Sequence, residues 1–302
     1  MTKDLLGLKG LAADQITEIL DAAVEMKKII SQGAKKMPHL LGKSVVTLFY
    51  ENSTRTRVSF ENAAKFMSAN CSSISVATSS VQKGETLIDT GQNLDALLTD
   101  VIIIRHPVAG APQLLAKNVH AAVINAGDGA NEHPTQALLD MYTMRERFGR
   151  IDGLKVAICG DIKFSRVARS NIWGLTRLGA SVTVCAPKTL LPLGIEKMGV
   201  RVESDPERAV DGADVVMGLR IQTERQKGGM FPSIAEYAEF FGVDSAVMQK
   251  AAPHALVMHP GPVNRGIEMT SAVIDAPNSV ILDQVTNGVA VRMAVLFLLT
   301  RK

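Results

Sequence analysis

The chain changes texture along its length. Between Asp14 and Ile30, apolar residues at Ile16, Ile19, Leu20, Ala23, Val24 and Ile30 recur at helical spacing, which predicts an opening amphipathic helix capped by Asp14. From Ser44 onward short continuous apolar runs take over: SVVTLFY, SSISVA, VIIIRHP, AAVINAG, then KVAICGD, SVTVCAP, VRVES, VVMGLR and ALVMHPGP. Such runs, bounded by polar or glycine-containing turns, predict strands covered on both faces, which have no solvent side to make polar. Helical patterns separate them, so the fold class predicted is α/β with parallel sheets. The first strand series ends near NAGDGANEHP, the helix TQALLDMYTMRERFG follows, and RIDGLKVAICGD opens the second series. No Gly/Ser/Pro linker separates the two series, and the domain boundary is placed in that helix. The closing TNGVAVRMAVLFLLTRK reads as one strongly apolar helix, interrupted by Arg292 and too short in its apolar run for a membrane span.

Composition narrows the class. At 302 residues with 46% hydrophobic and 21% charged content, the chain has material for about two ordinary globular domains. Lysine plus arginine exceed aspartate plus glutamate by only 33 to 30, with no basic tail or stripe, which argues against a nucleic-acid partner. Cys71, Cys159 and Cys185 show no CxxC spacing, and the latter two lie in strand-like runs, as small hydrophobes of a reducing compartment do. MTKDLLGLKG lacks the apolar core of a signal peptide, so a cytoplasmic protein without a membrane partner is expected.

Candidate chemistry gathers where strands end. ENSTRTRVSFE, directly after VVTLFY, packs two arginines and four hydroxyls into eleven residues. A helix N-terminus offers unpaired amides to an anion, Ser53, Thr54 and Thr56 add hydroxyls, and Arg55 adds a planar fork matched to phosphate oxygens. A Ser/Thr-capped helix with solvated arginines is the plainer alternative, and Arg57 is assigned a structural role. Other strand ends supply Arg105 after VIII, His133 and Gln136 at the entry of a helix, Arg166 in GDIKFSR, Arg220 and Gln222 in LRIQ, and a HPGP turn with its backbone carbonyls. His106 and His259 each precede proline and are expected to shape turns, while His39, His120 and His254 are expected at the surface. HExxH, clustered carboxylates, zinc-type Cys/His spacing, GxSxG and GxxxxGK[ST] are all lacking, so neither a metal, a cofactor nor a covalent nucleophile is expected.

FYENSTRTRVSFE, KGETLIDT, RHP, NAGDGANEHPTQALLD, GDIKFSRVARS, LRIQTER and MHPGPVNRG together, in order and spacing across nearly the whole chain, resemble the catalytic chains of the aspartate carbamoyltransferase family, enzymes of pyrimidine biosynthesis. The resemblance implies two domains, each a parallel sheet flanked by helices. Residues 1–140 would bind carbamoyl phosphate, 141–285 would bind L-aspartate, and the C-terminal helix 286–302 would return to the first domain. It puts the phosphate on Ser53, Thr54, Arg55, Thr56 and Arg105. His133 would meet the carbamoyl oxygen, and Gln136 with the backbone carbonyls of Gly261 and Pro262 the carbamoyl amide. Arg166, Arg220 and Gln222 would hold the aspartate carboxylates. Ser79 and Lys83 would reach in from a neighbouring subunit, Lys83 touching aspartate, which implies a homotrimer with shared sites. Arg55, Thr56, Arg105, His133 and Lys83 form the implied catalytic set. Regulatory chains or a dihydroorotase stay open as partners.

Three rivals are weighed. Ornithine carbamoyltransferases share the phosphate loop, but their cationic substrate calls for an acidic residue, and that family is expected to carry a HCLP segment, where this chain has LRIQ and HPGP. A dinucleotide oxidoreductase fits the α/β pattern, yet VAICGDIKFSR lacks the glycine fingerprint. A noncatalytic scaffold would have shed substrate contacts, whereas every matched position keeps its donor. The glycine pair Gly228 and Gly229 after Arg220 suggests either a closing loop or an ordinary surface loop.

Overall fold

A computed structural model describes residues 3–33, 36–75, 84–222, 231 and 233–301. The chain divides into two compact units, one of Met1–Leu139 with Thr286–Lys302, the other Asp140–Val285.

In the first unit, α1 (Ala13–Ser31) precedes β1 (Ser44–Phe49), α2 (Thr54–Phe66), β2 (Asn70–Ser75), α3 (Leu87–Ala96), β3 (Val101–His106), α4 (Ala111–Ala116) and β4 (Ala122–Asp128), after which α5 (Pro134–Phe148) runs across the boundary. The four strands form a parallel sheet in the order β2-β1-β3-β4. In β1 every residue but the first is buried, and in β4 every residue is. Burial on both faces is why these runs are continuously apolar instead of alternating. On one face Val46, Leu48, Ile102, Ile104 and Val123 pack with Leu94 and Leu115.

The opening helix begins two residues earlier than its sequence pattern predicts. Ala12, not Asp14, is the N-cap, because the Gln15 side chain reaches back to accept the Ala12 N–H at 2.9 Å. Asp14 lies in the first turn, where a carboxylate still favours the positive end of the helix dipole.

The second unit carries β5 (Lys155–Gly160), α6 (Arg166–Arg177), β6 (Ser181–Cys185), β7 (Arg201–Glu203), α7 (Pro206–Val210), β8 (Val215–Leu219), α8 (Ile234–Phe241), α9 (Ser245–Met248), β9 (Leu256–Met258) and α10 (Ser271–Ile274). Its five-stranded parallel sheet has the order β7-β6-β5-β8-β9. Gly160 ends β5 at φ +137°, where an added Cβ would lie 2.2 Å from the Leu219 carbonyl oxygen, so only glycine lets β5 and β8 close up at that point.

Helix α11 (Ile281–Thr300) passes back into the first unit. By length and composition it is apolar enough to cross a membrane, but its Arg292 is buried against α2 instead. Arg292 donates to Ser59 Oγ at 3.0 Å and its guanidinium lies 5.0 Å from the Phe60 ring centroid. Arg301 pairs with Glu18, Lys27 with Asn287, and Phe297 meets His39 edge-on. The charge that interrupts the apolar run is thus its docking point on α2.

At the N-terminal ends of the strands, three carboxylates tie starts of chain together. Asp95 accepts from the His120 and Ala121 amides and from His120 Nδ1 at 2.8 Å. Asp100 accepts from Ser44 N at 2.8 Å and Lys43 Nζ at 2.9 Å, and Asp214 from Lys155 N at 2.8 Å and His254 Nε2 at 2.7 Å. His120 and His254 are exposed, as expected, but each is paired with a carboxylate. Desolvation pushes these three carboxyls up, yet the backbone amides and the side chains of His120, Lys43 and His254 outweigh it and their pKa values lie below the ordinary range. A depressed folded pKa contributes stability above the unfolded value of about 3.9, lost as pH falls through the folded one. Asp95→Asn is therefore expected to cost about 1–3 kcal/mol at pH 7, and its gap to the wild type to close on acidification below about pH 4. Urea unfolding across that range checks this; a gap independent of pH would rule it out.

Candidate active site

Each sheet reverses its strand order once, and the reversal leaves a crevice at the strand C-termini where α/β proteins bind ligands. In the first unit the reversal lies between β1 and β3, neighbours paired through Phe49 and Arg105. The predicted phosphate residues stand on its two sides. Ser53 is the N-cap of α2, but its hydroxyl makes no capping hydrogen bond, so the first-turn amides of α2 are not taken by the residue best placed to take them. Thr54 and Arg55 are exposed and Thr56 is buried. Partial desolvation lowers the Arg55 pKa from its ordinary value, but an arginine so placed remains a cation at any working pH. Arg105, at the end of β3, lies with its Nε 3.3 Å from Glu51 Oε2, which orients the guanidinium beside the β1–α2 turn. Arg57 forms an i,i+4 ion pair with Glu61 at 3.9 Å on α2, in keeping with a structural role.

His133 and Gln136 open α5, and both are buried. The turn that delivers them is organised by a residue with no distinguishing sequence signature, Asp128. Its carboxylate is fully buried and accepts from Asn125 Nδ2 at 2.8 Å, Glu132 N at 3.1 Å, Gly110 N at 2.8 Å and Asn131 Nδ2 at 3.0 Å. Glu132 in turn accepts from the Leu8 amide at 2.6 Å, so the N-terminal segment braces the same loop. His106 accepts the Val108 N–H on Nδ1 at 3.0 Å and shapes its own turn; desolvation, the largest influence on it, lowers its pKa and favours the neutral ring.

In the second unit the reversal lies between β5 and β8. Arg166 is the first residue of α6, buried, behind the N-cap Ser165, whose hydroxyl accepts from Ala168 N. Arg220 follows β8 and is held in a local ring. It donates from Nη2 to Gln222 Oε1 at 3.2 Å and from Nη1 to Ile221 O at 3.1 Å, while Gln222 Nε2 donates to Arg220 O at 3.3 Å. Asp161 joins the two turns: its buried carboxylate accepts from Phe164 N on one and Gln222 N on the other, both at 3.0 Å. Next in the sheet, β9 leads into the turn of Gly261 and Pro262, joined by a cis peptide, with Gly261 at φ +63°. His259 accepts the Gly261 N–H on Nδ1 at 2.8 Å, so it shapes this turn.

Of the predicted site residues, then, seven stand at or after strand C-termini of the first unit, Ser53, Thr54, Arg55 and Thr56 after β1, Arg105 at the end of β3, and His133 and Gln136 between β4 and the first turn of α5. Arg166, Arg220 with Gln222, and Gly261 with Pro262 follow β5, β8 and β9 in the second. Ser79, Lys83, Gly228 and Gly229 lie outside the described residues. No group of three or more His, Cys, Asp or Glu side chains suited to a metal occurs among the described residues.

Comparison with known proteins matches the two halves of the sequence in turn. The family profile described as aspartate/ornithine carbamoyltransferase, carbamoyl-P binding domain, matches residues 3–146, and that of the Asp/Orn binding domain matches residues 152–299. The aspartate carbamoyltransferase catalytic subunit of Acetivibrio thermocellus is 62% identical over 301 residues, spanning 100% of this chain and 96% of the relative. That of Caldicellulosiruptor bescii is 60% identical over 300 residues, 99% and 98% of the two chains. Among solved structures, aspartate transcarbamoylase from Trypanosoma cruzi with carbamoyl aspartate and phosphate superposes with a TM-score of 0.87 at 30% identity, covering 97% of this chain and 94% of that one. Ornithine carbamoyltransferase from Thermus thermophilus gives 0.88 at 25% identity, covering 100% of both. The fold alone does not separate the two activities, but full-length identity of about three residues in five tells which branch is nearer, and the chain belongs to the aspartate/ornithine carbamoyltransferase family.

Proposed function

We propose that the chain transfers the carbamoyl group of carbamoyl phosphate to the amine of L-aspartate, giving N-carbamoyl-L-aspartate and phosphate for pyrimidine biosynthesis. The observation that carries the choice of aspartate is the ring of Arg220 and Gln222 after β8, with Arg166 at the head of α6. A guanidinium held there favours a carboxylate and would repel the terminal ammonium of ornithine.

In this reading the amides and hydroxyls of Ser53, Thr54 and Thr56, with Arg55 and Arg105, receive the phosphate. His133 donates to the carbonyl oxygen, while Gln136 and the carbonyls of Gly261 and Pro262 receive the carbamoyl amide. The amine nitrogen attacks the carbonyl carbon, the bond from that carbon to the phosphate oxygen breaks, and the amine proton passes to the departing phosphate, an acceptor the reaction itself supplies. Charge builds on the carbonyl oxygen and on phosphate, and each preorganised donor aimed at such charge is worth about 3–4 kcal/mol. Holding the amine in line adds roughly 7–11 kcal/mol. Fixed donors therefore supply this chemistry without a covalent intermediate. The reading further includes a homotrimer in which Ser79 and Lys83 complete a neighbour's site, and a cytoplasmic setting, which three free cysteines suit.

The test is product formation from carbamoyl phosphate with L-aspartate and, separately, L-ornithine, with the assembly state recorded on the same sample. Carbamoyl-aspartate alone from a trimer or larger assembly is expected. Carbamoyl-ornithine would mean that Arg220 and Gln222 do not select the second substrate, and an active monomer would exclude shared sites.

A further inference from the structure

Behind the Gly261–Pro262 turn stands a buried pair that the reaction as drawn above does not use. His259 is 2% exposed and Glu268 is 1% exposed. His259 Nε2 lies 3.2 Å from Glu268 Oε1, and the same oxygen accepts the Asn264 N–H at 2.7 Å. Because Gly261 N–H must find an acceptor at Nδ1, the imidazole proton is assigned to Nε2, facing the carboxylate. The order is then Glu268 carboxylate, imidazole, Gly261 amide: a carboxylate orients a histidine, and the histidine grips the backbone of the turn.

Both members are themselves fixed. The His259 backbone N–H donates to Gln284 Oε1 at 2.9 Å, and Gln284 Nε2 donates to the buried Asp140 at 2.7 Å, whose other oxygen accepts from Asn171 on α6 at 2.8 Å. The imidazole is seated over Gly218 of β8, where an added Cβ would come within 3.1 Å of His259 Cδ2 and 2.6 Å of Met269 Sδ. Glu268 is pinned through its own carbonyl, which accepts the Val243 N–H at 3.0 Å. Burying a carboxylate is costly, and a strut that needed only shape would be served by an apolar pair of the same volume. What the carboxylate adds is direction. It holds one tautomer and one ring orientation, and makes Nδ1 a stronger acceptor, as outer partners do for histidines at metal sites.

We propose that Glu268 and His259 are positioning residues that fix the Gly261 and Pro262 carbonyls as acceptors for the amide of carbamoyl phosphate, an inference that rests on the proposed activity. The two ligands that share the phosphate contacts separate this role from a merely structural one. Inorganic phosphate has no amide to offer the turn; carbamoyl phosphate does.

The experiment measures dissociation constants of carbamoyl phosphate and of inorganic phosphate by calorimetry on wild type, Glu268→Ala, Glu268→Gln and His259→Gln, with thermal melts to confirm folding. In Glu268→Ala and His259→Gln, carbamoyl phosphate should weaken about tenfold, the scale of one hydrogen bond lost, while phosphate stays within about twofold. Glu268→Gln keeps an acceptor at Oε1 and should recover most of the loss. Parallel losses for both ligands, or an unchanged ratio in a folded variant, would overturn the assignment. If Glu268→Ala does not fold, hydrogen exchange at the Gly261 amide of wild type and Glu268→Gln decides: protection in both is expected, and fast exchange in the wild type overturns the clamp. A wild type that binds phosphate yet never carbamoylates aspartate overturns the activity itself, and that failure shows before any substitution is made.

Discussion

Arg55→Ala is expected to lower turnover by roughly three orders of magnitude, the upper range for loss of one preorganised donor at a developing charge. Arg55 is the second residue of α2, on a helix end whose N-cap hydroxyl leaves the first-turn amides untaken. Backbone amides alone point at the phosphate but carry no full charge; the guanidinium supplies it and matches two phosphate oxygens at once. The Arg55 side chain is exposed, so its removal should leave stability within about 0.5 kcal/mol and make the kinetic loss interpretable. Arg55→Lys, which keeps the charge without the fork, should fall between the two. Steady-state kinetics on the folded variants check this, and near-normal turnover for Arg55→Ala would remove the β1–α2 turn from the site.

Much of the frame behind that prediction is legible in the chain itself, and the reason is physical. Strands covered on both faces must be apolar throughout, so runs such as VIIIRHP and AAVINAG declare themselves without any partner being known. The donors for anions are legible for a related reason, since they must follow a strand end and precede a helix, as Arg55, His133 and Arg166 do. What is not legible is which residues hold the donors. Asp161 meets Gln222 across 61 positions and Arg292 meets Ser59 across 233, and no local pattern encodes such a meeting. Asp128, at the end of β4, and Asp161 and Glu268, outside strands and helices, are single carboxylates that only burial and their backbone partners set apart. The helix start at Ala12 was hidden for the opposite reason. Gln15 accepts the Ala12 N–H from the third helical position, the reciprocal half of a capping box, which needs no capping side chain at Ala12.

Asp161→Ala should produce the second large effect, and one that falls on a single substrate. Its two oxygens take the amides of Phe164 and Gln222, and these stand two residues from Arg166 and Arg220 respectively. Loss of the carboxylate leaves two backbone donors without their acceptor at about 1–3 kcal/mol each, and the turns relax to recover them. Both arginines then lose their fixed separation. A dicarboxylate gripped at both ends is sensitive to that separation, whereas the phosphate residues belong to a different sheet. The KM for aspartate is therefore expected to rise about a hundredfold, the scale of a misplacement near 1 Å, with carbamoyl phosphate binding changed by less than about twofold. Asp161→Asn, which retains one acceptor oxygen, should give an intermediate value. Initial rates with each substrate varied in turn provide the measurement. An unchanged KM for aspartate would show that Arg166 and Arg220 are held by something other than Asp161, and a matching loss of carbamoyl phosphate affinity would mean that the carboxylate supports the whole second sheet and not its two turns.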